Sequence, residues 1–356
     1  MTKQSAQFPT PASYGIPEEL PDIDYGVIKR DEHARIYRWM LLGRRVEETA
    51  ISLYRQGKVV GGVYPGIGHE AITVGSTFPL LQEDWLAPMH RDLTAQMVKG
   101  QPSKFVFSQY LGRKNSPTHG KDGSVHLSNY DYNINGCISH IGAMLPFIVG
   151  VTYAGKQRGE SCCAVTYFGD GGVSIGDFHE GMNFASVVKA PILVFIENNQ
   201  FAYSTPLDKQ YNIKSQADRA IAYGIPGISI DGNNVLAVVA ATKHFLNRAR
   251  AGKGPALIEC VTMRILGHSA HDAADYVPGK MLEEWKKFDP IPRYQRYLLR
   301  KKILSEREFG AIEASVEEEI RQGVEWAEAQ PYPAGWEAGE GVYATGLAKR
   351  SNKLWE

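Results

Sequence analysis

The sequence has little cysteine, no long hydrophobic run and no excess of either charge. Among its 356 residues are four cysteines, and 39 basic residues balance 39 acidic ones. A balanced charge gives no general attraction to nucleic acid or to a membrane surface, so we expect neither as a partner. The longest apolar runs are strand-sized and fall far below the roughly 20 residues that a membrane-spanning helix needs.

The cysteines and the amino terminus indicate the compartment. The four cysteines lack the spacing of a metal site, and adjacent Cys162 and Cys163 would point to opposite faces of a strand. Small buried thiols are typical of a reducing environment. The first residues also lack the apolar core of a secretory signal. We therefore expect a cytoplasmic protein.

Composition divides the chain into four segments. Prolines at 9, 11, 17 and 21 without an apolar period predict an extended N-terminal arm, either mobile or laid along a partner. Further along, Ser305 and Glu308 have the spacing of a capping box at a helix start. The predicted segments are an N-terminal arm at 1–25, an α/β domain at 26–280, a helical region at 281–330 and a C-terminal arm at 331–356.

Strands and helices alternate in the middle of the chain. This alternation predicts a doubly wound, mostly parallel sheet with helices on both faces and right-handed crossovers. A loop at 112–136, rich in Gly, Asn, Ser and His, is long enough to be functional or disordered. The predicted strands are 162–168, 192–197 and 256–265, and the predicted helices are 31–57, 70–77, 174–189 and 234–251.

Two polar motifs follow neighbouring strands. GDG, with Asp170 at its centre, ends the first strand, and ENN, with Asn199 as its last residue, ends the next. Ligands in a doubly wound sheet sit beyond the carboxyl ends of the strands, so both side chains should line one crevice. Carboxylate and amide oxygens are ligands for Mg²⁺, and glycines let the backbone approach a diphosphate.

GDG and ENN at this separation form the thiamine diphosphate signature. The sequence around them resembles the alpha subunit of the decarboxylating component of 2-oxo acid dehydrogenase complexes, most strongly over residues 165–205 and more weakly over 31–293. The resemblance implies the thiamine diphosphate-binding fold, thiamine diphosphate and Mg²⁺ as cofactors, and oxidative decarboxylation of a 2-oxo acid. It also implies transfer of the acyl group to lipoyl-lysine on a separate transacylase.

The resemblance assigns the metal and diphosphate contacts residue by residue. The side chains of Asp170 and Asn199 and the carbonyl of Phe201 would hold Mg²⁺. Gly171 and Gly172 would lie against the diphosphate. Many relatives have tyrosine where this chain has Phe201, and a carbonyl ligand is indifferent to that change.

Five further positions complete the implied site. Arg91, preceded by His90, matches an arginine on the diphosphate, and its planar fork of donors suits a dianion. His268 matches a histidine that reaches the diphosphate and the reacting group, which makes it the predicted catalytic residue. Ser139 and Ile141 match the positions that flank the aminopyrimidine.

Several residues near these motifs have open roles. Glu197 matches a position near the cofactor at which other members have arginine. Ser269 matches a serine that is phosphorylated in some relatives, and His271 stands where those relatives have a second serine. His126, in the long loop, and His140 are candidates for the wall of the site.

One catalytic group is missing from the sequence. Activation of the cofactor needs a buried carboxylic acid with a raised pKa, and the chain offers no convincing one. Glu70 lies on an early helix and is expected to support the neighbouring loop. In the resembling family a beta subunit supplies this acid. We therefore expect a complex of two alpha and two beta chains, and an inactive alpha chain in isolation.

Other interpretations stay open. Residues 66–71 fit G-x-G-x-x-A, a weak nicotinamide dinucleotide fingerprint with no clean strand before it. A non-catalytic assembly subunit would keep the fold without a working site. The stretch AADYVPGKMLEEWKKFDPIPRYQRYL resembles the branched-chain subgroup and favours an acid of the 3-methyl-2-oxobutanoate type. GKDGSVH and NGCISHIGAMLP resemble the pyruvate and acetoin subgroups instead.

Overall fold

The structure is a computed structural model that describes residues 8–342. Its strands are β1 (Trp85–Ala87), β2 (Ala164–Gly169), β3 (Ile192–Asn198), β4 (Phe201–Ala202), β5 (Thr205–Pro206), β6 (Gly227–Asp231) and β7 (Ala256–Val261). Five of them form one parallel sheet in the order β1-β2-β3-β7-β6. β4 and β5 pair as a small antiparallel hairpin. The predicted parallel sheet is confirmed.

Helices cover both faces of this sheet. Their bounds are α1 (Arg30–Arg55), α2 (Glu70–Thr77), α3 (Leu93–Lys99), α4 (Ser103–Tyr110), α5 (Met144–Gln157), α6 (Gly176–Val188), α7 (Val235–Arg250), α8 (Gly279–Lys286), α9 (Pro290–Arg300) and α10 (Glu306–Glu328). α5 and α6 pack on one face and α2 and α7 on the other, with α1, α4, α9 and α10 beyond α2 and α7. In the described part of the chain, no helix is long and apolar enough to cross a bilayer.

Alternating side chains of the central strands separate the two cores. Tyr167 and Phe195 belong to the core that includes α7, whereas Phe168 and Ile196 belong to the core that includes α5 and α6. Successive strand residues point to opposite faces, so an unbroken apolar strand can serve both cores. This arrangement confirms the doubly wound α/β class.

Several element bounds differ from the sequence-based ones. The strand expected to run to residue 265 ends at Val261, because Met263 is buried with Phe201 and Trp285 in a separate cluster instead of extending the sheet. Apolar character alone does not distinguish these two environments. Helices α3, α4 and α5 were not expected. The capping box of α10 is confirmed, since Ser305 and Glu308 bond each other's backbone N–H groups.

Residues 8–25 lie along the chain's own C-terminal helices. Trp285 Nε1 donates to the Pro9 carbonyl at 3.1 Å, Arg293 Nε donates to the Glu18 carbonyl at 2.9 Å, and Leu20 is buried. This stretch therefore packs against its own chain, and its contact with a partner stays a prediction. The apolar residues of this stretch are too few to give a helical or strand period, but they are enough to pack against these helices.

The C-terminal segment is described only in part. In the described stretch, Glu337 pairs with Lys114 at 2.9 Å. The rest of the predicted C-terminal arm and residues 1–7 lie outside the described residues. All four cysteines are free thiols. The domain bounds and the cytoplasmic location stay predictions.

Candidate functional site

The carboxyl ends of three adjacent strands meet at one edge of the sheet. β1, β2 and β3 are parallel neighbours, and Gly169 on β2 pairs with Glu197 on β3. Asp170 follows β2 directly, Asn199 follows β3, and Arg91 comes four residues after the end of β1. α6, which connects β2 to β3, packs on the same face as α5, and α7 covers the opposite face. Ligands of open α/β sheets bind outside the carboxyl ends of the strands, so this edge is the expected place for a site.

Two cavities open here and share one wall. We call them the strand-end cavity, of about 420 Å³, and the loop-side cavity, of about 410 Å³. Met89, His90, Ile141 and His268 line both. The strand-end cavity is further lined by Arg91, Gly169, Asp170, Gly171, Gly172, Ile175, Asn199, Phe201, Ala202, Tyr203 and Arg264. Nine of the ten residues predicted for the site line this cavity, and Ser139 lines the loop-side cavity.

Asp170 is a buried carboxylate without a basic hydrogen-bond donor in residues 8–342. Its Oδ2 accepts a hydrogen bond from Gln210 Nε2 at 2.8 Å, and Gln210 Nε2 also reaches the Thr205 carbonyl at 2.8 Å. Burial raises the pKa of Asp170 to about 6, because desolvation penalises the charged form. A cation at this position would relieve that penalty.

The donor set beside Asp170 consists of oxygens. Asn199 and Phe201 line the same cavity, and the Phe201 carbonyl lies 3.5 Å from Arg264 Nη1. In the part of the chain that the structure describes, no three His, Cys, Asp or Glu side chains gather as a metal site. A metal here would rest on one carboxylate, one amide and one carbonyl. Hard oxygen ligands of this kind fit Mg²⁺ and disfavour zinc.

Two buried arginines make the other side of the strand-end cavity cationic. Arg91 Nη1 donates to the Pro65 carbonyl at 3.1 Å and its Nη2 to the His268 carbonyl at 2.8 Å. Arg264 Nη2 donates to the Tyr203 carbonyl at 2.7 Å. Burial, with the Arg264 charge adding to it, lowers the pKa of Arg91 to about 10. Among residues 8–342 neither arginine forms an ion pair, so an anionic group such as a diphosphate fits between them.

His268 is held neutral on the shared wall. Burial, reinforced by the charges of Arg91 and Arg264, lowers its pKa to about 4. Arg91 Nη2 lies 2.9 Å from His268 Nδ1 and can only donate, so Nδ1 accepts and Nε2 carries the proton. The Tyr203 ring, 4.6 Å away between centroids, holds the imidazole from the side. His268 therefore presents a neutral N–H donor.

Close approach restricts the last two glycines of GDGG, Gly171 and Gly172, whereas a Cβ on Gly169 would meet nothing within 4 Å. A Cβ on Gly171 would lie 2.4 Å from the Ala202 Cβ, and one on Gly172 would lie 3.2 Å from Ile141 Cγ2. The backbone at these positions therefore forms a cavity wall that a larger residue would fill.

Sequence reasoning missed Arg264 and Gln210. Arg264 was placed inside the overextended third strand, although it follows the true end of β7 and also bonds the Tyr276 hydroxyl at 2.6 Å. The rule that places ligands at strand ends would have found it with the correct strand bound. Gln210 lies in an irregular segment, and no sequence signal distinguishes it.

The other acids near the site are buried away from both cavities. Glu197 is buried with its Oε2 3.2 Å from His69 Nδ1, and burial raises its pKa to about 7. Glu70 accepts a hydrogen bond from the Gly68 N–H at 2.9 Å and pairs with Arg44, which supports the glycine loop as expected. Neither Glu197 nor Glu70 lines either cavity.

Residues 37–335 match the family model of the dehydrogenase E1 component. The chain belongs to this family. It is 33% identical over 330 residues to the pyruvate dehydrogenase E1 component subunit alpha of Porphyra purpurea, which covers 90% of this chain and 96% of the relative. It is 36% identical over 320 residues to the 2-oxoisovalerate dehydrogenase subunit alpha of Bacillus subtilis (strain 168), covering 88% and 96%.

A third relative is again named for pyruvate. The pyruvate dehydrogenase E1 component subunit alpha of the same Bacillus subtilis strain is also 36% identical, over 305 residues that cover 85% of this chain and 79% of the relative. The predicted family, the thiamine diphosphate-dependent 2-oxo acid dehydrogenase alpha subunits, is confirmed. The nicotinamide interpretation of residues 66–71 lacks support, because residues 8–84 of this E1 chain contain no strand.

Proposed function

We propose that this E1 chain is the alpha subunit of an enzyme that oxidatively decarboxylates a 2-oxo acid with thiamine diphosphate and Mg²⁺. The acyl group passes to lipoyl-lysine on a transacylase. The observation that carries this proposal is the division of the strand-end cavity. Among residues 8–342, Asp170 is a buried acid that no basic side chain bonds, and Arg91 and Arg264 are buried guanidinium groups that no acidic side chain pairs with. A magnesium diphosphate complements both sides at once.

The residues divide the work by chemistry. Asp170, Asn199 and the Phe201 carbonyl would hold the metal, while Arg91 and Arg264 would hold the diphosphate charge. When bound, thiamine diphosphate supplies a sink for the electron pair that departing carbon dioxide leaves behind.

The shared wall of the cavities divides into a proton donor and apolar contacts. The Nε2–H of His268 can donate to a substrate oxygen at this wall. Ile141 lies on the same wall, and Ser139 stands beside it in the loop-side cavity; both would flank the cofactor ring. Because His268 is neutral, it adds no positive charge that would bind the substrate carboxylate.

A beta subunit is needed to complete this site. The carboxyl groups that line the two cavities are those of Asp170 and Asp122. Asp170 is committed to the metal, and the Asp122 side chain is 54% exposed, so neither is the buried acid that the cofactor requires. We propose an assembly of two alpha and two beta chains in which the beta chain brings that acid.

The isolated chain tests this division of labour. Calorimetry of thiamine diphosphate with Mg²⁺, and release of carbon dioxide with ferricyanide as electron acceptor, are measured with and without the beta chain. We expect turnover only with both chains. Robust turnover by the alpha chain alone would contradict the shared site. Absence of cofactor binding by the complex would instead favour a non-catalytic assembly subunit.

The proposed substrate is a branched-chain 2-oxo acid. Val60, Val125 and Ile138 give the loop-side cavity an apolar wall that suits a branched alkyl group. Pyruvate is the second candidate, because residues 120–126 and 135–146, which resemble the pyruvate subgroup, supply much of that wall. The branched-chain-like stretch, 273–298, lines neither cavity.

Competition between the two acids decides the substrate. We expect kcat/KM of the reconstituted complex to be at least about tenfold higher for 3-methyl-2-oxobutanoate, since a buried branched group contributes roughly 1–3 kcal/mol. A strong preference for pyruvate would overturn this choice and leave the reaction class intact.

A further inference from the structure

Three polar side chains in the loop-side cavity form a hydrogen-bonded series. Ser139 Oγ lies 2.7 Å from His126 Nε2, and His126 Nδ1 lies 3.2 Å from Asp122 Oδ1. All three residues line this cavity. A hydroxyl, an imidazole and a carboxylate in this order have the geometry by which proteins transfer protons.

The Asp122 carboxylate determines which ring nitrogen of His126 carries the proton and which one accepts. An ionised Asp122 can only accept, so His126 Nδ1 carries a proton, and in the neutral ring Nε2 accepts from the Ser139 hydroxyl. In the protonated ring Nε2–H donates to Ser139 Oγ instead. The series can therefore move a proton from His126 to whatever accepts from the Ser139 hydroxyl.

The series lies between solvent and the shared wall. The Asp122 side chain is 54% exposed and that of His126 32% exposed, and Ser139 is two residues before Ile141, which lines both cavities. His268, on the shared wall, contacts Arg91 and the Tyr203 ring and does not belong to this series. An exposed proton donor at the mouth suits a reactant that enters from outside better than one already bound within.

In the proposed reaction, the reactant that enters from outside takes up one proton. When carbon dioxide leaves a 2-oxo carboxylate, the electron pair of the broken C–C bond stays with the acyl carbon. That pair forms the new bond to one sulfur of a dithiolane, the S–S bond breaks, and the second sulfur leaves with the S–S pair. This thiolate then takes one proton to become a thiol.

We propose that Ser139, supplied by His126 and Asp122, delivers this proton to the departing sulfur. Ser139 Oγ gives its proton to the sulfur and takes one from protonated His126, and solvent at the mouth protonates His126 again. Ser139 is the catalytic residue, and His126 is a relay residue that acts through it. This inference rests on the proposed function, because it needs a dithiolane acceptor.

Two half-reactions separate the relay from the rest of the site. With the complex of alpha and beta chains, decarboxylation is measured with ferricyanide, which needs no dithiolane, and acyl transfer is measured with a lipoyl domain. His126→Gln should lower acyl transfer about 100-fold more than it lowers the ferricyanide rate, the scale of general acid catalysis. Imidazole added to His126→Ala should restore part of the acyl transfer.

Matched variants and a spectroscopic readout complete the test. His140→Gln changes an exposed neighbouring histidine that lines neither cavity and should alter neither rate. Asp122→Asn should lower acyl transfer about tenfold more than it lowers the ferricyanide rate. In the cofactor-free chain, ¹⁵N shifts of His126 should show an unprotonated Nε2, and Ser139→Ala should shift that signal.

Each contrary result has its own meaning. Equal losses of both half-reactions in His126→Gln, or no loss of acyl transfer, would overturn the relay while the proposed function stands. No ferricyanide activity in the wild-type complex would overturn the proposed function and the relay with it.

Discussion

The strand-end and loop-side cavities are similar in volume but are built in different ways. The first takes its polar groups from positions one to four residues after strands, where Arg91, Asp170 and Arg264 are buried and their pKa values are shifted. The second takes them from the loop at 112–136 and the residues before α5, where Asp122 and Ser139 face solvent. A rigid, desolvated pocket suits tight ion binding, and an open wall suits transient reactants.

The largest effect that we expect is the loss of cofactor binding when the buried carboxylate of the strand-end cavity is removed. Asp170→Asn keeps the shape but removes the charge expected to hold Mg²⁺. Substitutions one shell away from a metal already cost about 10- to 100-fold in affinity, so we expect at least about a 100-fold loss of Mg²⁺-dependent thiamine diphosphate binding by the complex. Calorimetry measures this. Asp177→Asn, on the exposed start of α6, should bind normally, and unchanged binding by Asp170→Asn would remove the metal assignment.

An added methyl group should have an intermediate effect on stability. In Gly171→Ala the new Cβ would lie 2.4 Å from Ala202 Cβ, whereas at Gly169 it would meet nothing within 4 Å. Overpacking costs about 1–3 kcal/mol in free energy of unfolding. We expect that loss for Gly171→Ala and less than about 0.5 kcal/mol for Gly169→Ala. Equal denaturation midpoints for the two variants would show that the residues around Gly171 move to accept a methyl group without loss of stability.

The smallest effect is a protonation shift. NMR titration should give His268 a pKa of about 4, against 6.5 for an ordinary histidine. Between these values the unfolded chain binds a proton that the folded chain does not, so His268 lowers folding stability as pH falls through this range. Inorganic diphosphate or Arg264→Gln should raise this pKa, since each reduces the positive potential. A pKa that stays unchanged with diphosphate would argue against an anion beside His268.

Much of the strand-end cavity could be predicted and little of the loop-side cavity could. Asp170 and Asn199 follow apolar strands, and a parallel sheet brings successive strand ends to one edge whatever the loops do. Arg264 was not predicted as a site residue, because the apolar residues after Val261 have the pattern of a longer strand. The contacts of Ser139 with His126 escaped because residues 13 apart in irregular backbone have no fixed spacing in space.

The sequence by itself determined the family, the parallel sheet and the polar residues at its edge, because periodicity and strand-end chemistry are local properties of the chain. Only the tertiary structure decided which charges meet. In the part of the chain that it describes, two arginines lack an acidic partner, an aspartate lacks a basic one, a histidine is held neutral, and a hydrogen-bonded series crosses a loop. Burial and distance set these states, and both depend on how segments far apart in sequence pack together.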